Sequence, residues 1–310
     1  MEKHQNYSAD SLSSKRKGLV IGAVMLLAVI SLVLTSCSRA AKSKEDVERK
    51  PLVAVSILPV KAFADAVFKD SADVVCLIPP GASAETYEMT PMQREQLEDA
   101  DLIFTVGVPA EATMLEGLTK KAAGNEAGLK VVRLELLVDQ EYPPLKLGDE
   151  RDPHIWLSPS RAICIVKAIA DEAVKMDSRQ SCAFINNADS YVESILKKSE
   201  GIAKELSDLK NRSFMVFHPA FGYFADEFDL KMSALEEEGK EATAAHLAEL
   251  IDQAKASDTK VIFYQAQMDG RQAEVFAEEL GGMAVEMDPL AYDYIDNLQK
   301  MADCLKEADR

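Results

Sequence analysis

The sequence predicts an α/β protein in which two (β/α) lobes with parallel sheets are joined by a long, rigid backbone helix. Short apolar runs alternate with amphipathic helical patterns, an alternation typical of parallel sheets connected by helices. The strand-like runs fall into two sets, separated by a stretch without strands from about Ser160 to Asn211. The 310 residues are enough for about two domains, each with its own core.

Seven apolar runs read as strands. They are Leu52–Leu58, Val74–Ile78, Leu102–Val106 and Val131–Leu134 before the strand-free stretch, and Phe214–Phe217, Val261–Tyr264 and Met283–Met287 after it. Helical patterns separate most of them, over Gln93–Ala100, Ala242–Ala254, Gln272–Leu280 and Tyr292–Leu305. We therefore predict right-handed crossovers between parallel strands in each lobe.

The strand-free middle of the chain reads as helix, because apolar residues recur there at three- and four-residue intervals. They are Phe184, Ala188, Tyr191, Ile195, Ile202 and Leu206. A helix from about Ser178 to Leu206 would be roughly 40 Å long and would reach across both lobes. The alternative is two shorter helices, broken near Met176–Ser178 and again at Gly201.

The charge balance argues against a nucleic-acid partner. There are 35 basic and 52 acidic residues, which gives a net charge of −17. A surface this acidic repels phosphate backbones and weakly attracts dissolved cations. The alternative is that the acidity serves only to keep the protein soluble.

The N-terminus has the features of an export signal. Three basic residues, Lys15 to Lys17, precede an uncharged run from Gly18 to Thr35, which is followed by Ser36 and Cys37. This order is typical of a secretory signal peptide, and its end resembles a bacterial lipobox, which implies lipidation of Cys37. We predict a signal peptide over 1–36 and a flexible tether over 37–50. The alternative, a single membrane anchor, also places the rest of the chain outside the cytoplasm.

Three further regions follow the tether. We predict an N-terminal lobe over 51–177, a linking helix over 178–207 and a C-terminal lobe over 208–310. Four cysteines lie in these regions: Cys76, Cys164, Cys182 and Cys304. None has the close spacing of metal ligands, their disulfide state stays open, and they are assigned no function.

Few residues are candidates for chemistry, since the chain has only four histidines. His4 lies in the leader, and His246 lies in a helical pattern and is not expected to be a ligand. His154 precedes the only tryptophan, Trp156, whereas His218 directly follows a predicted strand, as Asp288 does. Parallel sheets bind ligands beyond the carboxyl ends of their strands, so His218 and Asp288 are candidate ligands in the C-terminal lobe.

The first lobe offers a loop rich in proline and glycine after the strand that ends at Ile78. The density of these residues indicates a rigid loop that runs to Pro91. Its acidic residues are Glu85 and Glu88.

Four ordered segments carry a resemblance to a known family. They are Pro79–Ser83, Asp152–Pro159, His218–Phe224 and Asp288–Leu290. In order and approximate spacing they resemble the zinc- and manganese-binding lipoproteins of bacterial ABC transporters, and the likeness covers about Leu52 to Leu305. The resemblance implies two lobes, a long rigid helix and one metal ion buried between the lobes.

The resemblance also implies the ligands. The family's first ligand, usually histidine, falls on Glu85, with Glu88 as the fallback; the others fall on His154, His218 and Asp288. Two imidazoles and two carboxylates would offset the charge of a divalent ion. His218 resembles the zinc-binding branch of the family. Glu85 in place of a histidine adds an oxygen ligand, which suits Mn²⁺ better than an imidazole does. On balance we favour Zn²⁺ over Mn²⁺ as the transported ligand.

We therefore expect an extracytoplasmic, lipid-anchored and monomeric receptor that captures a divalent metal and delivers it to an ABC permease. A separate ATPase would drive transport, since no GxxxxGK[ST] motif occurs in the chain. We expect no enzymatic activity, because a closed four-ligand site leaves no position for a reacting water. The alternatives are a secreted zinc-dependent hydrolase and a surface adhesin with a structural metal site.

Overall fold

The structure is a computed structural model that describes residues 49–116, 118, 129–236, 244–256 and 259–309, without the side chains of 244–247. The predicted signal peptide, Cys37 and most of the predicted tether lie outside these residues. Among the helices described, none combines the length and apolar character needed to cross a membrane. The described residues from 50 onward form one compact unit.

The first lobe is built on a four-stranded parallel sheet. Its strands are β1 (Leu52–Val55), β2 (Asp73–Cys76), β3 (Leu102–Thr105) and β4 (Lys130–Arg133), in the spatial order β2-β1-β3-β4. A short antiparallel hairpin follows, β5 (Lys146–Leu147) and β6 (Glu150–Arg151). The strand order reverses between β1 and β3, and a crevice for ligands opens at such a point beyond the carboxyl ends of the strands.

The second lobe repeats this order. Its strands are β7 (Ser213–Val216), β8 (Lys231–Ala234), β9 (Val261–Gln265) and β10 (Met283–Met287), all parallel and arranged β8-β7-β9-β10. The carboxyl ends of the parallel strands β7, β8, β9 and β10 lie at the same edge of this sheet, and a loop leaves each of them. Each loop can therefore direct a side chain into the same crevice.

Within the described residues, ten helices accompany the sheets. In the first lobe they are α1 (Leu58–Phe68), α2 (Pro91–Glu98), α3 (Pro109–Leu115), α4 (Leu134–Glu141) and α5 (Pro159–Met176). The long helix is α6 (Ser181–Leu206), and the second lobe adds α7 (Gly222–Glu227), α8 (Ala244–Ala256), α9 (Arg271–Glu279) and α10 (Tyr294–Ala308). Single turns of 3₁₀-helix cover Lys69–Ser71, Ile155–Leu157 and Ser178–Gln180.

Helix α6 is the backbone that the sequence predicts. Its 26 residues continue without a break through Gly201, while the predicted interruption near Met176–Ser178 is present as a separate turn. At 1.5 Å per residue the helix is about 39 Å long. Asn187 donates to the carbonyl of Val67 at the end of α1, and Gln299 of α10 donates to Glu205. The helix thus contacts both lobes.

One apolar core runs through both lobes. Buried side chains of the first sheet, such as Val55 and Phe104, belong to the same cluster as Ile195 of α6 and Phe263 and Leu298 of the second lobe. A smaller cluster, which includes Met215, Leu250 and Phe276, lies within the second lobe. Because the larger core is continuous, its burial stabilises the two lobes together.

Hydrogen bonds at the lobe contact surround the segment that carries His154. The indole nitrogen of Trp156 donates to the carbonyl of Pro289 (2.8 Å), and Tyr294 donates its hydroxyl to the carbonyl of Trp156 (2.8 Å). The hydroxyls of Ser158 and Ser160 donate to Glu227. Ser158 also caps α5, so the Glu227 carboxylate lies at the positive end of that helix.

The sequence-based fold is confirmed, with corrections at individual elements. The first strand ends at Val55, and Leu58 begins α1, where Pro59 fits the first helical turn. Strand β8 was not predicted, since its sequence KMSA has little apolar character and lies at a sheet edge. The β5–β6 hairpin was also missed. The lobe limits of 51–177, 178–207 and 208–310 stay a prediction.

Candidate metal centre

Glu85 is presented by a loop that its neighbours fix at several points. Gly81 adopts a left-handed backbone conformation (φ +79°), which glycine tolerates without strain. The Ala110 amide donates to the carbonyl of Ala84 (3.1 Å), and the Glu85 amide donates to the hydroxyl of Ser83 (3.2 Å). The side chain of Glu85 remains 35% exposed, so it lies at the mouth of the site.

His154 is oriented by a buried carboxylate two residues before it. Oδ1 of Asp152 accepts from the His154 amide (2.9 Å) and lies 2.8 Å from its Nδ1. Nδ1 therefore carries the proton, which leaves Nε2 as the ligand atom. Asp152 is 1% exposed. A Cβ on Gly222 of the second lobe would lie 2.9 Å from Oδ2 of Asp152, so the lobes meet closely at this carboxylate.

His218 follows β7 and contacts a carboxylate through each ring nitrogen. Nδ1 lies 2.7 Å from Oε2 of Glu236, which follows β8, and Nε2 lies 2.6 Å from Oε1 of Glu85. The histidine is 5% exposed. Glu236 thus occupies the ring nitrogen that faces its own lobe, and Nε2 is directed at the first lobe.

The structure brings Glu85, His154 and His218 into one cluster. Each residue offers a ligand atom, and these atoms all lie within 4.8 Å of one another. The two imidazole rings are 5.6 Å apart at an angle of 72°. Two ligand atoms that each lie ~2.0–2.2 Å from one zinc ion are at most about 4.4 Å apart, so small side-chain movements would let all three groups bind a single ion.

The charges within the cluster shift the pKa values of His218 and Glu85. Burial alone would lower the pKa of His218, but the carboxylates of Glu236 and Glu85 outweigh burial and raise that pKa to about 9. Burial would raise the pKa of Glu85, yet the hydrogen bond and charge of His218 lower it, with a further contribution from His154. Three carboxylates, including that of Asp152, surround two imidazoles. This excess of negative charge favours a bound cation.

Asp288 stands apart from the cluster. Its Oδ1 accepts from Nε2 of Gln267 (2.7 Å) and from the amide of Leu290 (2.8 Å). Although it follows β10 as the sequence predicts, it is not among the three residues whose ligand atoms converge. Its role as a fourth ligand remains a prediction.

The other predicted positions are readily placed. Glu88, the fallback ligand, is exposed and is not part of the cluster. Cys76, Cys164, Cys182 and Cys304 are all free thiols, so this structure contains no disulfide among them. The side chain of His246 and the whole of Cys37 lie outside the described residues.

Sequence reasoning missed the two carboxylates that orient the histidines. Asp152 was noted only as part of the segment around His154, although an acid two residues before a candidate ligand is a usable signal. Glu236 was overlooked because β8 was not predicted, and with it the carboxyl end at which Glu236 lies. Both residues are the outer partners that metal-binding histidines commonly have.

Two parallel α/β lobes, a long helix that contacts both, and imidazole and carboxylate ligands converging from the two lobes define a solute-binding protein for metal ions. The family described as "ZnuA: Zinc-uptake complex component A periplasmic" matches residues 53–308. The chain belongs to this family, whose members are the zinc-binding components of uptake systems.

Individual relatives agree with this assignment. The high-affinity zinc uptake system protein ZnuA of Bacillus subtilis is 27% identical, with 95% of this chain and 98% of the relative covered. The zinc-binding lipoprotein AdcA of Streptococcus pneumoniae is also 27% identical, over 92% of this chain. The chain spans 60% of AdcA's length. A crystal structure of ZnuA has a TM-score of 0.77 at 30% identity and covers 84% of this chain and 99% of that one.

Proposed function

We propose that this protein captures one zinc ion between its lobes, with Glu85, His154 and His218 as ligands. The observation that carries the proposal is the convergence of their ligand atoms to within 4.8 Å. One carboxylate and two imidazoles are donors that zinc binds well. Asp152 and Glu236 orient the imidazoles, and Asp288 is the fourth ligand predicted from the sequence.

The captured ion would pass to an ABC permease driven by a separate ATPase. Membership of the zinc-uptake family supports this role. The chain itself has no GxxxxGK[ST] motif and is not expected to hydrolyse ATP. We propose that it acts as a monomer, because each chain supplies ligands from both of its lobes.

Zinc is favoured over manganese on the chemistry of the donors. Imidazole nitrogens bind zinc more tightly than manganese, which prefers sites built from oxygen ligands. The names of the relatives in Bacillus subtilis and Streptococcus pneumoniae are also those of zinc-binding or zinc-uptake proteins. Glu85 adds an oxygen ligand, so manganese is the competing ion to be measured.

A hydrolase is the alternative that three converging ligands could suggest, since catalytic zinc sites keep one position open for water. Such an enzyme would need a free base beside that water. Asp152 and Glu236 are each paired with a histidine nitrogen, and Glu88 is exposed outside the cluster. We therefore propose binding without turnover.

The test is metal binding by the purified protein and its variants. Zinc titration with elemental analysis is expected to give one zinc ion per chain. Excess manganese should not displace this zinc ion. His154→Ala and His218→Ala are expected to abolish stoichiometric binding, whereas His246→Ala is the matched control and should retain it. Stoichiometric binding by either site variant would refute the ligand assignment.

A deletion strain tests the role in transport. We expect zinc uptake to fall and growth to require added zinc, with recovery when the gene is restored. Unchanged uptake would instead support the adhesin alternative. Lipid anchoring is tested separately: Cys37→Ser should move the protein from the membrane fraction to the soluble fraction, in keeping with the lipoprotein name of AdcA.

A further inference from the structure

Gln267 and Asp288 face each other at the carboxyl ends of two neighbouring strands. Gln265, the last residue of β9, is in register with Met287, the last residue of β10. The amide of Ala266 then donates to the carbonyl of Met287 (3.2 Å). This pairing fixes the two loops relative to each other, and Nε2 of Gln267 donates to Oδ1 of Asp288 (2.7 Å).

The main chain of Asp288 is fixed as well. Its carbonyl accepts from Nδ2 of the buried Asn297 (2.6 Å), and Oδ1 also accepts from the Leu290 amide (2.8 Å), which forms a turn around Pro289. With the main chain fixed in this way, the carboxylate can change its position only by rotation of the Asp288 side chain. Rotation of Oδ1 would break both of its hydrogen bonds, the one from the Gln267 side chain and the one from the Leu290 amide.

Both side chains border open space. Asp288 and Gln267 line a cavity of about 260 Å³ that extends to the loop Ile78–Ala82, which leads to Glu85. Hydrogen bonds to a carboxylate are among the stronger ones in proteins. The Gln267 amide and a metal ion that binds Oδ1 thus compete for the same oxygen atom.

We propose that Gln267 controls whether Asp288 joins the metal centre and thereby sets how fast the ion is released. The inference rests on the proposed zinc-binding function and adds a positioning residue to it. While Gln267 holds Asp288, the ion has three protein ligands and exchanges readily. When the hydrogen bond is broken, Asp288 becomes the fourth ligand and release slows.

Gln267→Leu tests this directly, since leucine keeps the size of the side chain and removes the donor. We expect zinc release to a chelator in stopped-flow measurements to slow by about tenfold, the factor that ~1.4 kcal/mol represents. The double variant Gln267→Leu/Asp288→Ala should lose this slowing. Gln299→Leu, on α10, is the matched control and should release zinc at the original rate.

A spectroscopic measurement makes the test independent of rates. With Co²⁺ as the probe, Gln267→Leu should intensify the visible absorption as the ion gains a fourth protein ligand, and Asp288→Ala in that background should reverse the change. Gln267→Ala provides a second variant if the leucine variant does not fold.

The two possible failures are distinguishable. Release by Gln267→Leu or Gln267→Ala at the original rate or faster, with stoichiometric zinc binding intact, would overturn the role of Gln267 alone. Failure of the unaltered protein to bind zinc would overturn the proposed function itself.

Discussion

Oε1 of Glu85 in the first lobe lies 2.6 Å from Nε2 of His218 in the second. Nδ1 of the same ring faces Glu236, so each ring nitrogen of His218 is opposed by a carboxylate oxygen. Either a doubly protonated His218 ring or a metal cation that replaces the proton on Nε2 would offset the negative charge of these two carboxylates. Proton and zinc thus compete for one nitrogen.

Zinc affinity should therefore depend on pH. The pKa of His218 is raised to about 9, so the imidazole is protonated at neutral pH and zinc must displace that proton. Affinity should increase as the pH rises and level off above about 9. The gain expected is about tenfold per pH unit for one displaced proton. Competition titrations in zinc buffers measure it, and a constant affinity across neutral pH would contradict the exchange.

Replacing the loop carboxylates one at a time distinguishes the two candidate first ligands. Glu85→Gln removes a charged ligand that contacts His218, and zinc affinity should fall by about a hundredfold, or ~2.7 kcal/mol. Glu88→Gln changes an exposed side chain outside the cluster and should leave zinc binding intact. The reverse result in zinc titrations would move the first ligand to Glu88.

Glu236→Gln tests the orienting carboxylate of His218. Loss of an outer partner commonly lowers metal affinity ~10–100-fold. We expect zinc affinity to fall by this factor when it is measured at a pH above the pKa of His218. The pKa of His218 should also fall, so the pH dependence of zinc binding should move to lower pH. Glu274→Gln on the exposed side of α9 is the control. An unshifted pH profile would leave Glu236 without an orienting role.

Gly222→Ala tests the contact between the lobes at Asp152. The new Cβ would lie 2.9 Å from Oδ2 of Asp152, too close for the carboxylate to stay in place. Because Asp152 orients His154, zinc affinity should fall by about tenfold, or ~1.4 kcal/mol.

Gly201→Ala is the control for Gly222→Ala. A Cβ at Gly201 meets nothing within 4 Å. Alanine there should stabilise α6 by about 0.5–1 kcal/mol without a change in zinc binding. Thermal unfolding and zinc titration of both variants measure these effects, and equal zinc affinity for Gly222→Ala and the unaltered protein would exclude the steric route through Asp152.

Much of the fold could be predicted because its periodic patterns are long and apolar. Helix α6 presents Phe184, Ala188 and Ile195 as one buried face, and the four strands β1, β3, β7 and β9 lie in the sheet interiors. The edge strand β8 could not be identified in this way, because its sequence KMSA has little apolar character, unlike those of the other edge strands β2, β4 and β10.

The sequence was sufficient to predict which residues belong to the candidate site, but not the hydrogen bonds that orient them. His154, His218 and Glu85 follow from ordered segments, and the structure brings all three together. The hydrogen bond from Gln267 to Asp288 depends on the register of β9 and β10, which no local pattern in the sequence encodes. The partner of Glu236 likewise depends on the pairing of β7 with β8.

The bond from the Trp156 indole to the Pro289 carbonyl limits how the halves of the molecule can separate. Trp156 has no other donor on its side chain and is fully enclosed by protein. If the two lobes rotated apart as rigid bodies, the buried indole N–H would lose its hydrogen-bond acceptor, at a cost of ~1–3 kcal/mol. Cargo should therefore enter and leave through a small displacement near Glu85, with the body of the molecule nearly still.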